Sequence, residues 1–317
     1  MQLIAQVLVR MALTIVQVAN VSGPILDKLS YVLSVSSIAE EKLIRDALIS
    51  LNVCKECRRV SRPLYFDSFA FFDESGLSAP ITIQCSPRNL SQKAFLRVDY
   101  NPAKVATSYI ASYLDFIVPG GYKRIVEDAK ITRFDVAVDV LGVDISELIV
   151  YPGKCRKSQI FFNKNKTQSE YYGDRKSPWS LIVYDKIAEE KAHGAKCSVT
   201  SNSNKCTRIE ARVKPKGGDL LLKDLGKAGN QFSQISISQY SSIVSKRQPL
   251  QMALEISKHT NLKNGLSFLE PYQKKQFIKL IKTYKCGWWN PYLIWTGWQD
   301  GVGHVLETDF DQIALVS

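Results

Sequence analysis

The sequence predicts an α+β fold: curved, mainly antiparallel β-sheets with helices packed on one face, arranged as two similar lobes. Three observations carry this. Runs that alternate apolar and polar residues at strand length are interleaved with helical stripes, without the regular strand–helix–strand rhythm of a parallel sheet. The 317 residues are enough for a sizeable core that no disulfide or metal has to staple. A composition of 45% apolar and 23% charged residues is that of a globular protein, which excludes disordered, collagen-like and coiled-coil classes. The expected division is a leader over 1–23, an N-terminal α+β lobe over 24–125, a β-rich lobe over 126–245 that carries the chemistry, and a helical, Trp-rich segment over 246–317.

The elements follow in order. The opening MQLIAQVLVRMALTIVQVAN is interrupted by Gln2, Gln6, Arg10, Thr14 and Gln17 at intervals of three or four, one polar stripe on a helix. It reads as an amphipathic leader helix, or as an over-long start ahead of Met11. Arg10 at its centre argues against a membrane span, and a charge inside the apolar run argues against a signal peptide. No stable membrane partner is expected. Asp27 to Ser36 alternates as a strand, and Ile38 to Asn52 reads as a helix with Leu43, Ile44, Ala47, Leu48 and Leu51 as its apolar stripe. CKECRR, Cys54 to Arg59, reads as a basic turn. Strands are expected at Leu64–Phe72, Ala79–Cys85 and Ala94–Tyr100, then a helix over Ala103–Ile117 closed by Pro119-Gly120-Gly121. Ile131 to Val140 is a strong strand, and Ser146 to Val150 a turn or short helix. Further strands are expected at Gln159–Phe162, Ser169–Tyr172, Ser180–Asp185 and Thr207–Val213, with an exposed loop over Ala195–Lys205. Gln248–His259 and Phe268–Tyr284 read as helices.

Lys and Arg number 42 against 30 Asp and Glu, a formal net charge of +12. Such an excess favours a polyanionic partner, nucleic acid first and an anionic membrane surface second; solubility alone is the bland alternative. Of seven Cys, only Cys54 and Cys57 stand at CxxC spacing, and His193 four before Cys197 is too little for a ligand set. Reduced cytoplasmic thiols are expected.

The central strands carry the candidate chemistry. In ITRFDVAVDV, side chains alternate between faces, so Arg133, Asp135, Ala137 and Asp139 share one and Phe134, Val136, Val138 and Val140 the other. The apolar face must be buried. The charged face is either a site or a wet outer surface. In CTRIEARVK, Cys206, Arg208, Glu210, Arg212 and Lys214 share a face. If both strands lie in one sheet, Asp135, Asp139 and Glu210 converge as three hard oxygen donors suited to Mg²⁺ or Mn²⁺, with arginines left for phosphate. A row of cross-strand ion pairs is the alternative. Tyr184 and Lys186 fall on one face of the strand Ser180 to Lys186, where a Lys or a metal would help a phenol attack phosphate; Tyr184 as a packing residue is the alternative. On Phe268–Tyr284, Lys275, Lys279 and Lys282 form a basic ridge opposite Phe277, Leu280, Ile281 and Tyr284, either a DNA-backbone contact or a solvated face. Trp288, Trp289, Trp295 and Trp298 either stack on unpaired bases or pack the C-terminal segment.

The order RFDVAVD, YYGDRKS, LIVYDK, RIEARVK, preceded by LRVDYNPAK, resembles the replication initiation factor family over about residues 27 to 285. That family contains rolling-circle initiators of plasmids and filamentous phages and relaxases of conjugative elements. The resemblance implies a nicking and joining enzyme that forms a 5′-phosphotyrosine with the help of a divalent metal, Mg or Mn. It implies Tyr184 as nucleophile with Lys186 beside it, and Tyr171 or Tyr172 as alternative nucleophiles. Asp135, Asp139 and Glu210 would form the metal shell, with Arg133, Arg208 and Arg212 on phosphate. Origin DNA, duplex and single-stranded, is the implied partner, with a host replication helicase and a homodimer as further expectations in a bacterial cytoplasm. His193, His259 and His304 form no His-hydrophobic-His pair, so carboxylates would have to bind the metal. No phosphate loop is present to bind a nucleotide. A phage or plasmid initiator is favoured over a conjugative relaxase. The readings from other classes are a sequence-specific DNA-binding protein without catalysis, and a phosphodiesterase that uses water while Tyr184 is structural.

Overall fold

The computed structural model describes residues 21–51, 57–72, 81–89, 94–153, 155, 157–163, 166–174, 176–192, 204–216 and 219–308. The expected leader (save its last three residues), Cys54, His193, Cys197 and most of the Ala195–Lys205 loop lie outside them. No helix of the described residues is long and apolar enough to cross a membrane.

The fold is mixed α and β, built on a large antiparallel sheet of ten strands with a separate two-stranded sheet. The chain forms two compact units, each assembled from separated stretches.

The first unit comprises Ile25–Val136, Val213–Gly229 and the chain from Trp298 on. Its strands are β1 (Ile25–Ser34), β2 (Cys57–Arg59), β3 (Tyr65–Phe71), β4 (Ile81–Pro87) and β5 (Ala94–Tyr100), in the order β2-β3-β4-β5-β1. All four pairings are antiparallel. The sequence CRR is therefore strand rather than turn, and Arg59 reaches Asp67 across the hairpin at 2.7 Å. Helix α1 (Ile38–Ser50) begins where the Ser37 hydroxyl accepts the Glu40 amide; it buries Ile44 and Leu48 against β3 and β4 but leaves Leu43 exposed. Helix α2 (Thr107–Ile117) ends before the Pro-Gly-Gly break, and a further helix, α3 (Gly121–Asp128), starts at once. Gly121 has φ +63°, and a Cβ there would lie 2.3 Å from Asp115 Oδ1, which accepts the Tyr122 amide. The core is closed by helix α8 (Trp298–Leu306). Trp298 packs on Phe134 and donates its indole N–H to the Leu225 carbonyl at 3.0 Å, while the Tyr122 hydroxyl donates to the Val305 carbonyl at 2.8 Å.

Strand β6 (Lys130–Leu141) begins in the first unit and ends in the second. The second unit holds Ala137–Arg212 and Asn230–Gly297, with the described residues before Ile25. Its strands in the large sheet are β8 (Ser158–Asn163), β9 (Lys166–Tyr172), β10 (Trp179–Asp185) and β11 (Cys206–Val213), ordered β6-β11-β10-β9-β8. In both halves the first strand lies beside the last and the others follow in reverse chain order.

Leu148 to Tyr151 forms a strand, β7, preceded by a 3-10 turn at Ile145–Glu147; it pairs with β12 (Ser236–Gln239). Against this small sheet lie α5 (Gln248–His259), α6 (Leu262–Ser267) and α7 (Pro271–Thr283), burying Ile149, Leu250, Phe277 and Ile281 in one cluster. Trp289 is buried beside Phe232 and donates its indole N–H to the Ile235 carbonyl. A buried indole with a satisfied N–H is a packing residue. Trp289 and Trp298 are therefore unavailable to stack on bases. The expected helical segment over 246–317 is divided between the units at Trp298.

Candidate active site

The apolar face of β6 behaves as its alternation predicts: Phe134, Val136, Val138 and Val140 are buried. The other face is not a wet surface, because Asp135 and Ala137 are buried as well. A carboxylate in that position needs a cation. Arg133, two residues along the same strand, supplies it with a two-pronged pairing, Nε to Oδ1 at 2.7 Å and Nη2 to Oδ2. Asp135 and Arg133 belong to the first unit.

In the second unit, Asp139 is gripped by Arg208 of β11 through two bonds of 2.6 and 2.7 Å, Nε to Oδ1 and Nη2 to Oδ2. The Arg208 side chain is 8% exposed, so this bidentate pair is largely dry. Glu210, two residues further on, is buried and binds differently. Its Oε1 accepts from Arg212 Nε at 3.0 Å, and its Oε2 accepts from the Tyr184 hydroxyl of β10 at 3.2 Å. Tyr184 is half-buried, and the Arg212 side chain is 35% exposed. The result is a chain of contacts, phenol to carboxylate to guanidinium, opening on solvent at both ends.

The three acids therefore share a face without sharing a site. Asp135 and Asp139, four residues apart on one extended strand, are separated by about 13 Å. Each acid has a guanidinium on it. Among the described residues no group of three or more His, Cys, Asp or Glu stands close enough to hold a metal ion. This donor set, with every carboxylate already neutralised by arginine, does not fit the convergent Mg²⁺ or Mn²⁺ site expected from the sequence. The structure contains ion pairs instead, one across strands (Asp139 with Arg208) and two along a strand (Asp135 with Arg133, Glu210 with Arg212), and the three arginines serve first as their cations.

Lys186 also departs from expectation. The strand ends at Asp185, whose side chain accepts the Ala188 amide at 3.0 Å and so caps the helix α4 (Lys186–Ala192). Lys186 is the first residue of that helix, not a face-mate of Tyr184. Its ammonium is buried and held by Glu189 at 2.7 Å and Glu190 at 3.5 Å.

The alternative tyrosines separate cleanly. On β9 the register sets Tyr171 opposite Ile182 and Ser169 opposite Tyr184, so Tyr171 shares the Tyr184 face. It is 37% exposed. Tyr172 points the other way and is buried, its hydroxyl donating to Glu170 with the Val150 carbonyl 3.3 Å away. Burial, then the charge of Glu170, pushes the Tyr172 phenol well above its ordinary range. Burial likewise raises the Glu170 carboxyl to about 7, against the lowering effect of the Tyr172 hydrogen bond. Tyr172 is thus withdrawn from any reaction in solvent. Beyond the β9–β10 turn a separate cavity of about 600 Å³, lined by Trp179, Lys157 and Asp174 among others, lies at the strand ends remote from Tyr184.

Lys275, Lys279 and Lys282 are exposed on α7, opposite buried Phe277 and Ile281, and Lys282 Nζ lies 5.5 Å from the Tyr151 ring centroid. Tyr284 is exposed rather than part of the buried stripe.

The sequence reading assigns Glu210 to a metal and Tyr184 to a lysine, whereas the structure bonds the two to each other. The available signal was that both sit on like-facing positions of adjacent strands. Comparison with known proteins gives one structural likeness to report. No family model matches the chain, and no curated protein matches it. Among solved structures it is similar to a rolling circle replication initiator protein from Geobacillus stearothermophilus, at 14% identity and a TM-score of 0.41, covering 83% of this chain and 97% of that one.

Proposed function

We propose that the chain is a tyrosine-dependent DNA strand transferase that opens one strand at an origin to start rolling-circle replication. The observation that carries the reading is the Tyr184–Glu210–Arg212 chain of contacts, lying within the motif order that resembles the replication initiation factor family. The Tyr184 oxygen attacks the scissile phosphorus in line. The bond from phosphorus to the tyrosine oxygen forms as the bond to the 3′ oxygen breaks. The phenolic proton passes to Glu210, which already accepts it in a hydrogen bond. A proton returns to the departing 3′ oxygen from solvent. One phosphodiester replaces another, so the strand is resealed by the reverse reaction without a nucleotide cofactor. Arg212, half-exposed beside Glu210, keeps the carboxylate oriented and offers a guanidinium edge toward phosphate.

The test is to incubate the purified chain with a labelled supercoiled circle carrying the DNA that encodes it. Parallel reactions contain Mg²⁺, Mn²⁺ or a chelator, and products are run on a denaturing protein gel. A labelled adduct that vanishes in Tyr184→Phe and persists in Tyr171→Phe and Tyr172→Phe supports the reading. An adduct lost instead in Tyr171→Phe moves the nucleophile by two strand positions. Nicked circles without adduct make the protein a water-using phosphodiesterase, and binding without nicking makes it a DNA-binding protein only.

A further inference from the structure

The strand order of the second unit ends at β8, so one edge of the β9–β8 hairpin has no neighbour among the described residues. The register runs across three strands: Tyr184 lies opposite Ser169, and Ser169 opposite Phe161. Side chains at paired positions share a face. Phe161 therefore stands on the Tyr184 side of the sheet, two strand spacings or about 10 Å away. Phe161 is 46% exposed, and it meets Tyr171 edge to face with centroids 5.4 Å apart. On this face Ser169 and the buried Ile182 lie between the aromatic pair and the Tyr184 phenol. Arg212 borders the opposite side of Tyr184 through Glu210. Two large rings left in solvent, a phenol and a guanidinium thus follow one another along one sheet face.

We propose that Phe161 and Tyr171 form a stacking platform for the unpaired DNA strand next to the phosphate that Tyr184 attacks. The occupant follows from chemistry on the page. Aromatic rings stack on any unpaired base whatever its sequence, whereas bases within a duplex have no free face. The net charge of +12 and Arg212 complement a polyanion. A span of about 10 Å from Tyr184 suits the nucleotides flanking the reacting phosphate. The inference rests on the reading of Tyr184 as a DNA nucleophile, but it is measured without catalysis.

The experiment uses the full chain carrying Tyr184→Phe, so that only equilibrium binding is read. Fluorescence anisotropy with a labelled oligothymidylate and with a labelled duplex of equal length compares this parent with added Phe161→Leu, Phe161→Trp, and Phe161→Ala together with Tyr171→Ala. The leucine variant keeps apolar bulk at the edge strand and removes the ring, which separates stacking from folding. The double alanine variant is expected to weaken single-strand binding at least tenfold and duplex binding less than twofold. Phe161→Leu should lose several-fold for the single strand, and Phe161→Trp should retain affinity and show quenched emission on binding. Unchanged single-strand affinity in the leucine and double alanine variants overturns the proposal, as does equal loss for duplex and single strand. A dimer that turns monomeric in the double variant, with DNA binding unaltered, overturns it in favour of a contact between copies. Because binding is scored apart from adduct formation, the platform can fail while Tyr184 chemistry stands, and the reverse.

Discussion

The two halves of the large sheet carry similar polar furniture and do different things with it. In the first unit Asp99 of β5 is held by Arg97 through bonds of 2.7 and 2.8 Å, with the Ser30 hydroxyl and the Gln84 amide adding donors. Its neighbours Tyr31 and Tyr100 face the opposite way and are buried, and burial raises both phenols. In the second unit Glu210 of β11 has a guanidinium on one oxygen and the Tyr184 phenol on the other. Position within the winding is comparable; the difference is whether a tyrosine shares the acid's face. An acid saturated by arginine, serine and glutamine can only stabilise, whereas one that takes a half-exposed phenol's proton in a hydrogen bond can also activate.

The sharpest break of this comparison is Glu210→Gln against Asp99→Asn. On the proposed mechanism, removing the Glu210 carboxylate should slow adduct formation by about a hundredfold or more, the usual loss for a positioned general base. Asp99→Asn should leave the rate per folded molecule unchanged. Quantified gel bands over time, normalised to folded protein, decide it. Next in size are the two buried indoles. Trp298→Ala in the first unit and Trp289→Ala in the second should each cost about 3–5 kcal/mol by denaturant titration. Loss of nicking by Trp298→Ala should follow the unfolded fraction only.

The pH dependence sharpens the comparison further, because the two units harbour acids shifted in opposite directions. Burial would raise Asp99, but the hydrogen bonds and charge of Arg97, with Ser30 and Lys28, hold it below the carboxylate range. Its stabilisation is present above the unfolded value and fades as pH falls through the folded one. Glu170, facing Tyr172 and with Tyr240 nearby, is raised from 4.5 to about 7. Its protonated form is the one the fold favours, so stability is lost as pH rises from about 4.5 to 7. Asp99→Asn should therefore melt below the wild type at pH 7 and converge with it in acid. Glu170→Gln should melt above the wild type at pH 8, by up to about 3 kcal/mol, and also converge in acid. Melting curves from pH 4 to 8 give both signs. The smallest effect is expected on α7. Replacing Lys275, Lys279 and Lys282 by Gln should lower DNA affinity several-fold at low salt and flatten the salt dependence by up to about three counterions.

Much of this was legible in the sequence because alternation is a local property. The faces of β6 and β11, the start of α1 at Ser37 and the break after Ile117 all follow from neighbours within a few residues. What was misread depended on distance through space. A shared face suggests that Asp135, Asp139 and Glu210 could converge, but extended chain keeps i and i+4 far apart. Lys186 reads as strand because alternation runs through it, whereas the Asp185 side chain, bonded three residues on, caps α4 at that point. The β7–β12 pair, four residues each and more than eighty residues apart, is too short to show alternation. Tyr171 and Tyr172 look equivalent in sequence, and only pairing with β10 shows which one is buried.

The interleaving of the two units has a consequence for synthesis. Phe134, Leu225 and Tyr122 wait for Trp298 and Val305, so the first unit cannot close its core until nearly three hundred residues have left the ribosome. The apolar surface that the last helix covers stays open while the whole second unit is made. A chain truncated before Trp298 should lose the first unit rather than a tail. Domain-by-domain folding from the N-terminus is therefore not open to the first unit, which should reach full stability only once its last helix is made.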